Sequence, residues 1–123
     1  MRFIIQLWSD EARPASPLLV SALARFNEQL EQAGVLLAAE GLVKSESGVR
    51  INMVQGERAL REGPFLDAAA GLGAGFWIIR AKSKHEAVEW AKRCPLAEGD
   101  QLEVRALYGL PELALAASDV AMV

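Results

Sequence analysis

A chain of 123 residues has room for one domain of ordinary size with a single core, and not for two. Its 52% hydrophobic and 24% charged residues exclude a disordered role, and a formal charge of −3 with scattered Lys and Arg offers no basic stripe for nucleic acid. No apolar run approaches the roughly 20 residues of a membrane span. One cysteine and one histidine exclude an intramolecular disulfide and the usual Cys/His metal clusters, so no metal and no other cofactor is expected. Met1-Arg2-Phe3-Ile4-Ile5 leads into a strand-like run with no signal-peptide architecture. The expectation is a cytoplasmic protein whose partners are small molecules or proteins.

In chain order, Arg2 to Trp8 reads as a strand, with Phe3, Ile5 and Leu7 on one face and Ile4, Gln6 and Trp8 on the other. Both faces are largely apolar, which marks a central strand covered on each side. Ser9 to Pro14 is a polar connection. Ser16 is a helix N-cap with Pro17 at the first helical position, and Leu19, Leu23, Phe26, Leu30 and Ala33 form the apolar stripe before Gly34 ends the helix. Arg25, Glu28, Glu31 and Gln32 form its solvated face. Val35 to Val43 is extended and carries Glu40 among apolar neighbours, and Lys44 to Gly48 turns the chain. Val49 to Val54 and Glu57 to Arg61 form a hairpin about Gln55-Gly56.

Gly63-Pro64 sets a corner, Asp67 to Ala70 reads as a single helical turn, and the run Gly71-Leu72-Gly73-Ala74-Gly75 delivers into a second strongly hydrophobic strand, Gly75 to Ala81. The glycines lead into a strand with no Lys-Ser/Thr, so they are not a phosphate loop. Ser83 and Glu86 are spaced as a capping box, Ala87, Trp90, Ala91 and Cys94 give the buried stripe of a second helix, and Pro95 stops it. Leu102 to Leu107 alternates as a last strand. Residues 1–107 form the domain. Residues 108–123 are an appendage, either a short helix begun at Pro111 or a partly disordered tail.

This order fits an α+β, ferredoxin-like βαββαβ fold with an inserted hairpin, the two most hydrophobic strands being central. Two helices hide one face of a four-stranded sheet, yet the central strands are apolar on both. A two-fold partner that covers the second face is the expected remedy, giving a homodimer whose sheets pack face to face.

At Glu40-Gly41-Leu42, Glu62-Gly63-Pro64-Phe65 and Glu103-Val104-Arg105 the chain resembles the YCII-related family, specifically its DGPF branch. The helix Glu86-Ala87-Val88-Glu89-Trp90-Ala91 adds to the likeness, which runs from about Arg2 to Arg105. The resemblance implies a dimeric α/β barrel with a cleft near the dimer interface. It also implies a role that is unassigned for most members: some occur beside extracytoplasmic-function sigma factors, and a few relatives act on small aromatic or lactone substrates. Three departures stand out. Glu62 replaces the branch's Asp, Asp67 is the one charge left after Gly-Pro-Phe, and no histidine lies between Ser16 and Ala33 to match the His/Asp pair of enzymatic relatives.

The candidate ligand-binding residues are Glu40, Arg50, Glu62, Asp67 and Arg105. Two converging carboxylates would raise one pKa and create an acid or base, and the arginines suit bidentate capture of a carboxylate. Against this, Glu62 can serve its own turn, and Glu40, Arg50 and Arg105 can each be neutralised by a neighbour. His85, at the second position of the second helix, is a base candidate set against a solvated first-turn residue. Cys94 reads as packing, and Trp8, Trp77 and Trp90 as core or interface, with Trp8 or Trp77 able to wall an aromatic pocket. The leading expectation is a homodimer that binds a small anionic or aromatic ligand. The alternatives are an isomerase-like or lyase-like enzyme using a cleft carboxylate for proton transfer, and a regulatory interaction module using the tail.

Overall fold

The structure, a computed structural model, describes residues 1–14, 16–65 and 72–109, together with residues 111 and 115. The expected turn at Asp67 to Ala70 and nearly all of the tail lie outside the described residues. Six strands and two helices follow in the order β1 (Arg2–Ser9), α1 (Pro17–Gln32), β2 (Leu36–Gly41), β3 (Val49–Val54), β4 (Glu57–Glu62), β5 (Leu72–Arg80), α2 (Lys84–Ala91) and β6 (Gln101–Ala106). A short 3-10 turn occupies Ser45–Ser47 between β2 and β3.

The main sheet has the strand order β2-β5-β1-β6 and is antiparallel throughout, while β3 and β4 form a separate hairpin. Leaving the hairpin aside, the order is that of a ferredoxin-like arrangement, and the two strands read as central from their hydrophobicity, β1 and β5, are the inner pair. Their register sets the faces. Phe3 lies opposite Ile79 and Ile5 opposite Trp77 on one face; Ile4 lies opposite Ile78 and Gln6 opposite Phe76 on the other.

Both helices cover the first of these faces. Phe3, Ile5, Trp77 and Ile79 pack in one core with Phe26 and Leu30 of α1 and with Ala87 and Ala91 of α2. Ile5, Leu30 and Ile79 are fully buried, which contributes about 1.5–3 kcal/mol each to the folded state. Phe26 meets Trp77 edge to face with ring centroids 5.5 Å apart, and the Trp77 indole N–H donates to Asn27 Oδ1 at 2.6 Å. On the opposite face Ile4, Gln6, Trp8, Phe76 and Ile78 stay half-buried, because no described element lies over them.

The helix ends follow local chemistry. Ser16 Oγ accepts from Leu19 N–H at 3.3 Å, and Ser83 Oγ accepts from Glu86 N–H at 3.2 Å. In the second cap the returning Glu86 carboxylate accepts from Lys82 N–H at 2.9 Å, one residue earlier than a standard capping box places it. Three readings shift. Ala33 is exposed where the stripe put it inside, since the helix ends at Gln32 and Gly34 follows at φ 72°. Helix α2 stops at Ala91, so Cys94 is buried from the loop that follows it. Strand β5 begins at Leu72, three residues earlier than read, because the glycines join the sheet. A Cβ on Gly75 would stand 2.8 Å from the Glu40 carbonyl, so the bare glycine is what lets β2 lie close there.

Candidate ligand-binding site

The expected site residues fall into two groups that do not touch within one chain. Glu40 and Arg105 sit on the helix-free face of the sheet, at opposite edges. Glu40 lies in the row Glu40, Phe76, Gln6, Glu103, and Arg105 in the row Ile78, Ile4, Arg105. Three strand spacings separate their strands, roughly 14 Å. Arg50 and Glu62 belong to the hairpin, on its two different faces: Arg50 opposes Arg61, whereas Glu62 opposes Val49. Arg50 places its guanidinium carbon 4.1 Å from the centre of the Phe65 ring and Arg61 places its own at 5.2 Å, so a buried phenyl holds two cations. Glu62 turns away from that stack. Asp67 lies outside the described residues.

Beside Phe65 the chain builds a corner around Glu11 and Ser45, two residues with no motif of their own. The Glu11 carboxylate accepts from Ser45 N–H at 2.8 Å and from the Ser45 hydroxyl, and the same hydroxyl oxygen accepts from Phe65 N–H at 2.9 Å. Gly48 N–H donates to the Ser45 carbonyl at 2.9 Å, and Gly63 N–H donates to the Gly48 carbonyl at 2.8 Å. The Gly63-Pro64 bond is cis. The Ser45 hydroxyl and then its N–H hold the Glu11 carboxyl below the usual carboxylate range, against a partial burial that acts the other way. Glu11 and Ser45 read as ordinary loop residues because their bonds cross 34 positions of sequence.

A cavity of about 260 Å³ opens at this end of the sheet, with Glu11, Arg13, Leu42, Lys44 and Ala74 in its wall. Arg13 leads away from it into a second cluster. Its guanidinium is paired with Asp100 and donates to the Glu98 carbonyl at 2.7 Å and to Ser9 Oγ at 2.7 Å. The Ser9 hydroxyl donates to Asp100 at 2.9 Å, and Ala97 N–H donates to its other oxygen at 3.0 Å. The Asp100 side chain is 3% exposed. Burial pushes its pKa up, but the Arg13, Ala97 and Ser9 donors together outweigh that and hold it below the usual range. The cluster ties the β1–α1 loop to the loop before β6.

At the other end of the sheet a larger cavity of about 740 Å³ has Arg2, Lys84, Arg105, Val104 and Tyr108 among its walls. No carboxylate lines it among the described residues. Arg2 donates to the Tyr108 carbonyl at 3.3 Å, which draws the chain after β6 over the first strand and shapes the wall. Arg105 is thus shared between this cavity and the open face of the sheet.

The remaining candidates stay apart from both cavities. His85 is exposed in the first turn of α2. Burial pushes the Cys94 thiol up to about 12, which suits packing rather than nucleophilic chemistry. Trp90 is half-buried beneath Arg93, whose guanidinium carbon is 4.5 Å from its ring centre. Among the described residues no three His, Cys, Asp or Glu side chains are grouped to hold a metal ion, and no helix is long and apolar enough to cross a membrane.

No curated protein matches the chain. The model of the YCII-related domain does match it, over residues 1–110, a span that takes in the whole sheet, both helices and the Gly63-Pro64-Phe65 corner. The chain therefore belongs to the YCII-related family.

Proposed function

We propose that the protein is a cytoplasmic homodimer of the DGPF branch that binds a small anionic, flat molecule in a cleft with Arg105 at its edge. The observation that carries this reading is the position of Arg105: it projects from the uncovered face of the sheet and also walls the 740 Å³ cavity with Arg2 and Lys84. Three cations with no described carboxylate among them favour an anion, and bidentate geometry suits a carboxylate. Tyr108 in the wall supplies flat apolar surface for an aromatic ring. A second copy laid over Ile4, Trp8, Phe76 and Ile78 shields that apolar face and deepens the cleft into a dimeric α/β barrel. The Gly63-Pro64-Phe65 corner supports the branch.

Binding is favoured over proton transfer because no described carboxylate lines the Arg105 cavity, while Glu11 and Asp100, at the other end of the sheet, are both held in the charged form. The test has two arms. Sedimentation equilibrium at micromolar concentration reads the mass: an assembly of two chains or more whose mass Ile78→Lys lowers supports the face-to-face pairing, and a parent chain of 13.3 kDa overturns it. Thermal-shift measurement with benzoate and related carboxylates, lactones and phenols reads the site. At a hundred times Kd a ligand stabilises by about 2.7 kcal/mol, and that gain should vanish in a still-folded Arg105→Ala variant. Stabilisation of both proteins alike, or of neither by any compound, removes Arg105 from the site.

A further inference from the structure

Among the described residues nothing covers one face of the β3–β4 hairpin, and that face has a pattern. Its register pairs Val49 with Glu62, Ile51 with Leu60 and Met53 with Arg58, so these six side chains share a side, away from Phe65. The four apolar ones are 51% to 70% exposed. A two-stranded hairpin with nothing on its apolar face is marginal in water. The stripe also carries opposite charges at its two ends, Glu62 near the base and Arg58 near the turn. Each stands two residues from Leu60 along β4, so roughly 13 Å separates them and they do not pair within one chain. No ion pair joins either of them to another described residue.

We propose that this face docks on the same face of the hairpin of a second copy, about a two-fold axis that crosses the strands at the Ile51–Leu60 pair. A two-fold contact must be complementary to itself, since every residue pair occurs twice. Under this axis each β4 lies antiparallel over the other, Leu60 meets its own copy, and Arg58 faces Glu62 of the partner subunit at both ends. A stripe that is positive at one end, negative at the other and apolar between is matched by itself in that arrangement. The contact uses residues distinct from those of the open sheet face and does not depend on it.

Cysteine cross-linking of the full chain reads this contact alone, because the native Cys94 is buried. With a short bismaleimide, Leu60→Cys should give covalent dimer about tenfold faster than Ala59→Cys, which points to the opposite face, since the two-fold raises the effective concentration of a residue on its axis. Adding Arg58→Glu or Glu62→Arg alone should slow the Leu60→Cys reaction about fivefold by setting like charges against each other, and the two together should restore it to within about twofold. Equal rates at positions 59 and 60, single reversals without effect, or a double reversal slower than either single one would each overturn the proposal.

Discussion

The Glu11 carboxylate takes both hydrogen-bond donors of Ser45, its N–H at 2.8 Å and its hydroxyl, while the Ser45 oxygen in turn receives the N–H of Phe65. One serine thus joins the β1–α1 loop to the Gly-Pro-Phe corner. Ser45→Ala removes the hydroxyl link and orphans the Phe65 N–H in a partly buried setting. The expected loss is about 1–3 kcal/mol of unfolding free energy, measured by urea titration.

The same contact sets a pH dependence. The folded Glu11 pKa is depressed, so its stabilisation is complete above the unfolded glutamate value of about 4.3 and is lost as pH falls through the lower folded value. Glu11→Gln should therefore flatten the acid limb of the stability curve below that value. Urea midpoints at a series of pH values from neutral into the acid limb check this; an acid limb identical to the parent's would rule Glu11 out as a contributor.

Gly63 has no room for a side chain. A Cβ there would lie 1.7 Å from the Ser45 carbonyl oxygen, a backbone atom that cannot swing aside. Gly63→Ala is expected to cost about 2–4 kcal/mol and to open the corner at Phe65. Gly56→Ala at the hairpin tip, where φ is 82° and nothing lies within 4 Å, should cost about 1 kcal/mol from backbone strain alone. Comparable losses at the two positions would show that the Ser45 contact is not the cause.

Arg13 and Asp100 make the tightest ion pair in the described chain. Removing Arg13 leaves the buried Asp100 carboxylate with the Ser9 and Ala97 donors alone. Arg13→Ala should destabilise by about 2 kcal/mol, less than the 3–5 kcal/mol of a fully enclosed pair, because the guanidinium side is 30% exposed. Asp100, depressed when folded, adds to the same acid limb as Glu11, its contribution present above an unfolded value of about 3.9 and fading below it. The double variant Glu11→Gln with Asp100→Asn should flatten that limb more than either single one.

Cys94, at about 12 and buried, should react with a disulfide reagent at pH 8 more than about a hundredfold more slowly in the native protein than in denaturant. Ellman's reagent measures both rates. Comparable rates would mean that the loop after α2 opens far more often than its packing implies.

Much of the architecture was legible beforehand because its causes are local. Alternation in Arg2 to Trp8 and in the β6 segment, the four-and-three spacing of Leu19, Leu23, Phe26 and Leu30, and the caps Ser16 and Ser83 each depend on neighbours within a turn or a pleat. Apolar residues on both faces marked β1 and β5 as the central strands, since only an inner strand buries both of its sides. The family was legible as well, through Gly63-Pro64-Phe65 and the helix of Glu86 to Ala91.

The site was not legible to the same degree, because distance along the chain hides what distance in space creates. Glu40 and Arg105, each read as polar interruptions of a strand, lie at opposite edges of one face once the strand order is set. Arg50 and Glu62 are parted by the pleat of a hairpin whose register is settled by a two-residue turn at Gln55 and Gly56. Glu11, Ser45, Arg13 and Asp100 carry no local signal at all; their bonds span 34 and 87 residues and exist only when the loops at one end of the sheet come together. Period and capping are properties of a segment and can be read from it. The pairing of charges and the walls of a cavity are properties of the closed chain, and only the tertiary structure decided them.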